Sequence, residues 1–350
     1  MARIAAPVFV SRIPSPNIIA DLYMFNLSHT VLLVIQHFPV WADMQSALNP
    51  RGEDADRIAA IGGVMFIGAA MIFLLVIAIL ILALYGRPRM RALLGGRFLI
   101  IGAGIAFPLT VLSVLLVYTL GEASLMARGV TQPAARIEVT GEMWWWRVRY
   151  LDDDGRSLFE TANDIRIPSG APVEFILKSD NVIHSFWVPN LAGKLDMVPG
   201  HVKRLRVQAS EPGIFRGQCA EYCGAQHAKM MFDVQALSPD DFQKWLTLQL
   251  QPATEPADAT LQAGKRYFTQ ACARCHTVRG TEAAGTLGPD LTHVGSRLSL
   301  AAGVLPNNVG TLAGWIAGSQ HIKPGNQMPS FNQLSGEGLR AVAQYMESLK

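Results

Sequence analysis

The sequence predicts a multidomain membrane protein: a two-helix transmembrane hairpin, an all-β barrel of Greek-key type, and an all-α C-terminal domain. Three observations carry this expectation. Two long runs, Ile58 to Gly86 and Phe98 to Gly121, contain no charged residue. Residues 135 to 237 alternate apolar and polar positions with turn signals between them, the period-2 pattern of strands. A Pro-containing linker then leads into the motif Cys272-Ala-Arg-Cys275-His276, which is flanked by helical patterns. At 350 residues the chain is too long for one average domain. Half of it is apolar and only 16% is charged, which leans toward a membrane protein. The net charge of +3 is too small and scattered to argue for nucleic acid.

Taken in order, residues 1–57 form an N-terminal segment with only the short apolar run Val31 to Ile35, too brief to span a bilayer. The expectation is a retained segment on the outer side of the membrane, with partial processing as the alternative, although no A-x-A cleavage site is evident. Residues 58–121 form the hairpin, with helices over about 58–86 and 98–121. Each is long enough to cross a hydrocarbon core of about 30 Å. Pro108 is tolerable where neighbouring helices satisfy the freed backbone group. The tip between the helices carries Arg87, Arg89, Arg91 and Arg97 and no acid, whereas the flank before the first helix mixes Arg51 and Arg57 with Glu53, Asp54 and Asp56. Positive charge marks the cytoplasmic side. Everything after residue 121 therefore lies outside, in the periplasm of a bacterium with two membranes.

Residues 122–248 hold the β domain: Ile137, Val139, Gly141 and Met143, then Ile165 and Ile167, then Val173, Phe175 and Leu177 mark strands, and Pro168 to Pro172 and Pro199-Gly200 mark turns. Within it, Cys219, Cys223, His227 and Met230 fall inside twelve residues, CAEYCGAQHAKM, and His184 lies upstream. Thiolate, imidazole and thioether are soft ligands that suit copper better than magnesium or calcium. Two thiolates can bridge two coppers, with one histidine capping each and Met230 as a weak extra ligand. A Cys219–Cys223 disulfide and a tetrahedral zinc site from two cysteines and two histidines are the competing readings. Zinc has no use for Met230 and usually takes its thiols as C-x2-C rather than C-x3-C.

The linker, 249–260, is followed by the helical domain, 261–350. C-x-x-C-H is the attachment motif of c-type haem: Cys272 and Cys275 add to the vinyl groups and His276 ligates iron. The rival is a thioredoxin-like C-x-x-C, which would want a βαβ setting. Met328 in KPGNQMPS, stiffened by Pro324 and Pro329, is the expected opposite axial ligand, with His293 and His321 as alternatives. A Met/His pair raises the iron potential, which suits a carrier. Leu339, Val342, Tyr345 and Leu349 recur at helical spacing toward the C-terminus.

On these two metal motifs, and over about residues 45–350, the chain resembles subunit II of a caa-type haem-copper cytochrome c oxidase, CuA-containing and with a fused C-terminal cytochrome c domain. The resemblance implies a cupredoxin fold for the β domain. It implies a binuclear CuA centre held by His184, Cys219, Cys223, His227 and Met230, with the backbone carbonyl of Glu221. It also implies that the Glu221 carboxylate helps hold a magnesium ion shared with subunit I, and that Trp144, first of the triplet Trp144-Trp145-Trp146, is the electron-input residue. Gly288-Pro289-Asp290-Leu291 resembles the class I cytochrome c loop whose proline carbonyl accepts a hydrogen bond from the proximal imidazole.

The implied function is electron transfer from cytochrome c haem to CuA and on to subunit I, where oxygen is reduced to water with proton translocation. The implied setting is the bacterial plasma (inner) membrane. Expected partners are subunit I, subunit III, and as donor a soluble or membrane cytochrome c or an upstream quinol-oxidising complex. The alternatives are the electron-input subunit of a CuA-type nitric oxide reductase, and a copper-delivery or redox-sensing membrane protein; a quinol oxidase subunit II would lack the copper ligands. Three departures from the family pattern stand out. Arg147 and Arg149 stand where acids are common, which puts docking of a basic soluble cytochrome c in doubt. Asn181 replaces a common aspartate. No acid occurs between Phe98 and Gly121, so the chain is expected not to supply a proton-channel glutamate there. Substitution of Arg97 or Gly104 should accordingly leave proton uptake intact, and altered pumping stoichiometry would contradict this.

Overall fold

The computed structural model describes residues 44–127 and 132–350, so most of the expected N-terminal segment, 1–57, lies outside the described residues. Helix α1 (Glu53–Tyr85) starts ahead of its uncharged run. Glu53, Asp54 and Asp56 fill its first turn, where acids complement the helix dipole. After the short α2 (Pro88–Leu94), helix α3 (Arg97–Met126) runs past Gly121, so five residues allotted to the β domain belong to the hairpin. Both long helices are long and apolar enough to cross a membrane. Glu122, the first acid after the apolar run, meets Arg57 at 3.0 Å and closes the outer end of the hairpin.

Within α3, Gly102–Ala106 is a π-helical turn, with the Phe107 N–H bonded to the Gly102 carbonyl. It directly precedes Pro108, whose ring crowds the carbonyl one turn back and whose nitrogen donates nothing. One extra residue in the turn relieves both problems. The π-turn thus accommodates the proline within its own helix.

Ten strands, with β3 at Ser157–Ala162 and β7 at Leu195–Met197, make two five-stranded sheets, in the orders β3-β2-β1-β5-β8 and β4-β10-β9-β6-β7. The strands that position the sites are β1 (Arg136–Glu142), β2 (Trp145–Leu151), β4 (Asp164–Pro168), β5 (Val173–Ser179), β6 (His184–Trp187), β8 (Lys203–Val207), β9 (Gly213–Cys219) and β10 (Met231–Leu237). β1 pairs with β5 and β10 with β4 in parallel; the remaining neighbours are antiparallel. The alternating residues of β1 and β5 face inward: Ile137, Val139, Val173, Phe175 and Leu177 are buried among Trp146, Phe186 and Phe232. Helix α4 (Pro239–Gln249), capped by Ser238, buries Phe242 and Trp245 against this core.

The barrel is seated on the start of α1. Arg51 donates to the Asn190 carbonyl at 2.7 Å and accepts from the Ser210 N–H at 2.8 Å. Gly52 admits no side chain, since a Cβ there would lie 2.5 Å from the Leu191 carbonyl oxygen. Arg206 on β8 pairs with Glu53 and, at 3.5 Å, with Asp54.

The C-terminal domain packs α5 (Ala259–Ala271) across α7 (Gly336–Ser348), with α6 (Val309–Ile322) beside them. Gly264 permits the close crossing: a Cβ would stand 2.1 Å from the Ala341 carbonyl oxygen. Phe268 meets the Tyr345 ring edge-on at 5.7 Å. The linker is shorter than the sequence suggested, because α4 reaches Gln249 and α5 begins at Ala259. It is also tethered: Arg279 donates to the Gln249 carbonyl at 2.6 Å, and Ala253 to the Arg279 carbonyl at 2.9 Å.

Candidate metal and haem sites

β6 opens on His184, β9 ends on Cys219, and the loop to β10 carries Glu221, Cys223, His227 and Met230. Their donor atoms converge. The Cys219 and Cys223 sulfurs lie 3.7 Å apart. His184 Nδ1 is 3.8 Å from Cys219 Sγ, and His227 Nδ1 is 3.5 Å from Cys223 Sγ. Met230 Sδ lies 3.7 Å from Cys223 Sγ, and the Glu221 carbonyl 3.1 Å from Cys219 Sγ. A disulfide would need about 2.0 Å between the sulfurs. A single tetrahedral ion would need both imidazoles on one centre, whereas each stands beside its own thiol. The donor set fits soft metal and copper above all. Cys219 is held far below the usual thiol range, first by its hydrogen bond with Cys223 and then by His184 and the backbone, while that same contact, with burial, pushes Cys223 up.

His184 is fully buried, and its orientation is fixed from two sides. Its Nε2 meets Asn181 Oδ1 at 3.1 Å, which leaves Nδ1 free toward Cys219. Gly141 lies under the ring: a Cβ there would be 2.8 Å from His184 Cδ2. The tryptophan triplet has three fates. Trp146 is buried in the core, 5.1 Å from the Phe232 ring. Trp145 receives the Arg147 guanidinium over its face at 4.7 Å. Trp144 donates Nε1–H to the Cys223 carbonyl at 2.8 Å.

In the C-terminal domain Cys272 follows the end of α5, and Cys275 and His276 turn back beneath it. Among the described residues no βαβ unit surrounds them, which removes the thioredoxin-like reading. His276 Nδ1 bonds to the Pro289 carbonyl at 2.9 Å, so Nε2 is the nitrogen left for iron. Gly288 forms a cradle against the imidazole, where a Cβ would lie 2.5 Å from Cε1. Burial pushes the His276 pKa down, keeping the ring neutral as a ligand must be. Met328 packs against the domain core, its loop pinned by Ser319 Oγ and Gln320 Nε2, which donate to the Met328 carbonyl at 2.8 and 2.7 Å. His293 bonds to the Gln251 carbonyl in the linker at 3.1 Å, and His321 is exposed. The donor set and the cradle fit a covalently held haem.

The two domains meet along a polar seam. Gln226 Nε2 donates to the Pro324 carbonyl at 2.8 Å, Lys229 Nζ to the Ile322 carbonyl at 2.7 Å, and the Met231 N–H to the Ala302 carbonyl at 3.0 Å. Buried Asp164 accepts from the Leu298 N–H at 3.0 Å, and Arg166 donates to the Ser296 carbonyl at 2.9 Å. Trp144 lies in this seam, 3.7 Å from the point where a Gly325 Cβ would be. Lys323 is buried there, its pKa pushed down to about 7 by burial first and by Lys229 second. The Glu221 carboxylate, half-exposed, faces Lys194 Nζ at 3.6 Å. The roles of Lys323, Gly141 and Asp164 carried no signal in the sequence, because they arise only when distant strands and the two domains come together.

The family description "Cytochrome C oxidase subunit II, periplasmic domain" matches residues 147–237, and "Cytochrome c" matches residues 261–350. The chain is 35% identical over 317 residues to cytochrome c oxidase subunit 2 of Alkalihalophilus pseudofirmus, covering 87% of this chain and 91% of that one. The Bacillus subtilis subunit 2 is 31% identical over 231 residues, covering 63% of each chain. The solved periplasmic domain of subunit II of cytochrome oxidase from Bradyrhizobium japonicum matches at 26% identity over 35% of this chain and 96% of that chain, with a TM-score of 0.32. This chain belongs to the cytochrome c oxidase subunit II family, as a membrane-anchored electron-transfer subunit that works with subunit I and carries copper and haem c in its periplasmic domains.

Proposed function

We propose that this chain is the electron-input subunit of a terminal oxidase in the bacterial plasma membrane. Electrons enter its C-terminal domain, cross near Trp144 to a binuclear CuA centre, and leave for the haem-copper site of subunit I. When bound, haem c and CuA supply one-electron carriers whose oxidation states change with little movement of their ligands. The chain's residues supply the holding and the path. Cys219 and Cys223 would bridge the metals, His184 and His227 would cap one each, and Met230 and the Glu221 carbonyl would complete the set. Cys272, Cys275, His276 and Met328 would hold haem, with Pro289 fixing the His276 ring. The observation that carries this reading is Trp144: its indole N–H reaches Cys223 beside one centre, and its ring packs at Gly325, in the Met328 loop of the other.

Two finer features belong to the same reading. The Glu221 carboxylate would serve an interfacial magnesium, displacing Lys194, with further oxygen ligands from subunit I. Subunit III, and a cytochrome c or quinol-oxidising complex as donor, complete the assembly. The test is electron paramagnetic resonance of the full chain in detergent after copper loading, beside its optical spectrum. Hyperfine structure from one electron shared equally by two coppers, with a low-spin c-haem, is the expected result. A single-copper signal would refute the binuclear centre.

A further inference from the structure

Two basic side chains in the seam serve neither metal site. Lys323 is 3% exposed, and among the described residues no carboxylate lies within ion-pair distance of it. Its Nζ instead meets three backbone carbonyls: Trp144 at 2.8 Å, Lys229 at 2.8 Å and Ala301 at 3.2 Å. Three acceptors match the three N–H bonds of an ammonium, whereas a neutral amine would turn a lone pair toward one of them. Two of the carbonyls belong to the copper domain and one to the haem domain that Lys323 itself belongs to. A buried cation without a counter-ion is costly unless its hydrogen bonds are all made. Separating the domains would strip this one of two acceptors at once.

Arg147 makes the reciprocal contact. It is held by Glu142 and Glu160, and its remaining Nη2 donates to the Thr286 and Leu287 carbonyls at 3.1 and 3.5 Å. Those carbonyls immediately precede Gly288-Pro289, against which the His276 ring is set. Lys323 lies five residues before Met328 in the other loop. Charge-assisted bonds of this kind are short, directional and roughly twice as strong as neutral ones. Because they end on backbone oxygens, a loop cannot shift without breaking them.

We propose that Lys323 and Arg147 are positioning residues that clamp both axial-ligand loops of the haem domain onto the Trp144 face of the copper domain, fixing the distance that the electron must cross. This rests on the electron-input reading above. The step it governs moves one electron from reduced haem to oxidised copper, with no bond made or broken.

The experiment uses the full chain in detergent, loaded with both cofactors, slightly below neutral pH. A flash reduces the haem through an external photoreductant, and its reoxidation is timed as copper takes the electron. Lys323→Met, close in length but without donors, should slow this transfer by roughly tenfold or more, as small misplacements of reacting groups do. It should leave both reduction potentials and the copper resonance signal unchanged, and should raise amide exchange over residues 286–288 and 322–328. Lys323→Arg should restore part of the rate. Arg147→Lys, which keeps its charge against Glu142 and Glu160 but shortens the reach, should slow the transfer on its own and remains informative where Lys323→Met loads poorly. Transfer at the wild-type rate in Lys323→Met and Arg147→Lys would overturn the clamp. So would a slowed rate fully matched by a shifted potential, since the lysine would then be tuning a centre, not positioning it. Absence of haem-to-copper transfer in the wild-type chain would instead sink the electron-input reading.

Discussion

His184 shows how much of a metal ligand's behaviour is set by residues that never touch metal. Its ring stands between Asn181, which takes the Nε2–H, and Gly141, whose missing side chain makes room for it. In Gly141→Ala the new methyl would fall 2.8 Å from Cδ2 and 2.9 Å from Cγ, inside any tolerable contact. The ring must swing, and Nδ1 with it. Copper affinity should drop by about 10–100-fold, the usual cost of disturbing a ligand's support, with copper per chain after dialysis against a chelator as the measurement. Asn181→Asp tests orientation against charge. A carboxylate would hold the same ring hydrogen bond but make the imidazole a stronger donor and add negative charge. Both effects favour the oxidised centre, so its reduction potential should fall by an amount of order 60 mV, one tenfold step for a one-electron couple. A redox titration followed by the copper signal reads this directly. An unchanged or raised potential would mean that the Asn181 contact does not polarise His184.

At the scale of elements, much of the plan was legible because it is local. Strict alternation gave the inward faces of β1 and β5, since a period of two admits only one assignment once a face is buried. Uninterrupted apolar runs gave the two helices, and ligand spacing gave both site loops. What was not legible depends on partners far along the chain. The start of α1 and the end of α3 were missed because charged residues continue each helix beyond its apolar part, held by Arg57 against Glu53 and Glu122. Arg147 read as a departure from an acidic docking surface; in the fold it grips the chain's own haem domain. Asp164 was silent, since nothing in its sequence neighbourhood marks it as the acid of an interdomain seam. It is buried on β4, facing Arg166 from its own strand, Gln235 and Asp233 from β10, and Leu298 and Arg297 from the haem domain. Burial, the largest influence, raises its pKa above the ordinary carboxylate value. A raised folded value means that the protonated form is favoured by folding. That stabilisation is complete below the ordinary carboxylate range and is lost as pH rises through the folded value. Asp164→Asn removes this titration. The thermal midpoint of the wild type relative to the variant should therefore climb as pH is lowered through the folded value toward the ordinary carboxylate range. A constant difference would show that Asp164 ionises in the fold as it does in water.

At the scale of the whole molecule, the periplasmic part is two domains joined twice, once by the chain and once by the seam. The chain joins them through residues 250–258, which are themselves tied to the haem domain by Arg279 and His293. The seam joins them through Arg147, Asp164, Arg166, Gln226, Lys229, Met231 and Asp233, whose partners lie between residues 286 and 324, and through Lys323 from the haem domain, which reaches Trp144 and Lys229. If the seam alone sustains docking, the covalent connection is dispensable once assembly is complete. A single proteolytic cut in 250–258, for which the exposed Asp258 after Ala257 offers a site to a protease that cleaves before aspartate, should then leave the haem fragment migrating with the membrane fragment on size exclusion at moderate salt. Several of the seam's contacts are partly buried and end on carbonyls, so screening should weaken them far less than it weakens exposed ion pairs. Separation should require high salt or denaturant. Release of a free haem fragment at moderate salt would mean that the linker, by keeping the two domains at high effective concentration, does most of the holding. The haem domain would then be a tethered carrier that docks intermittently, not a fixed relay.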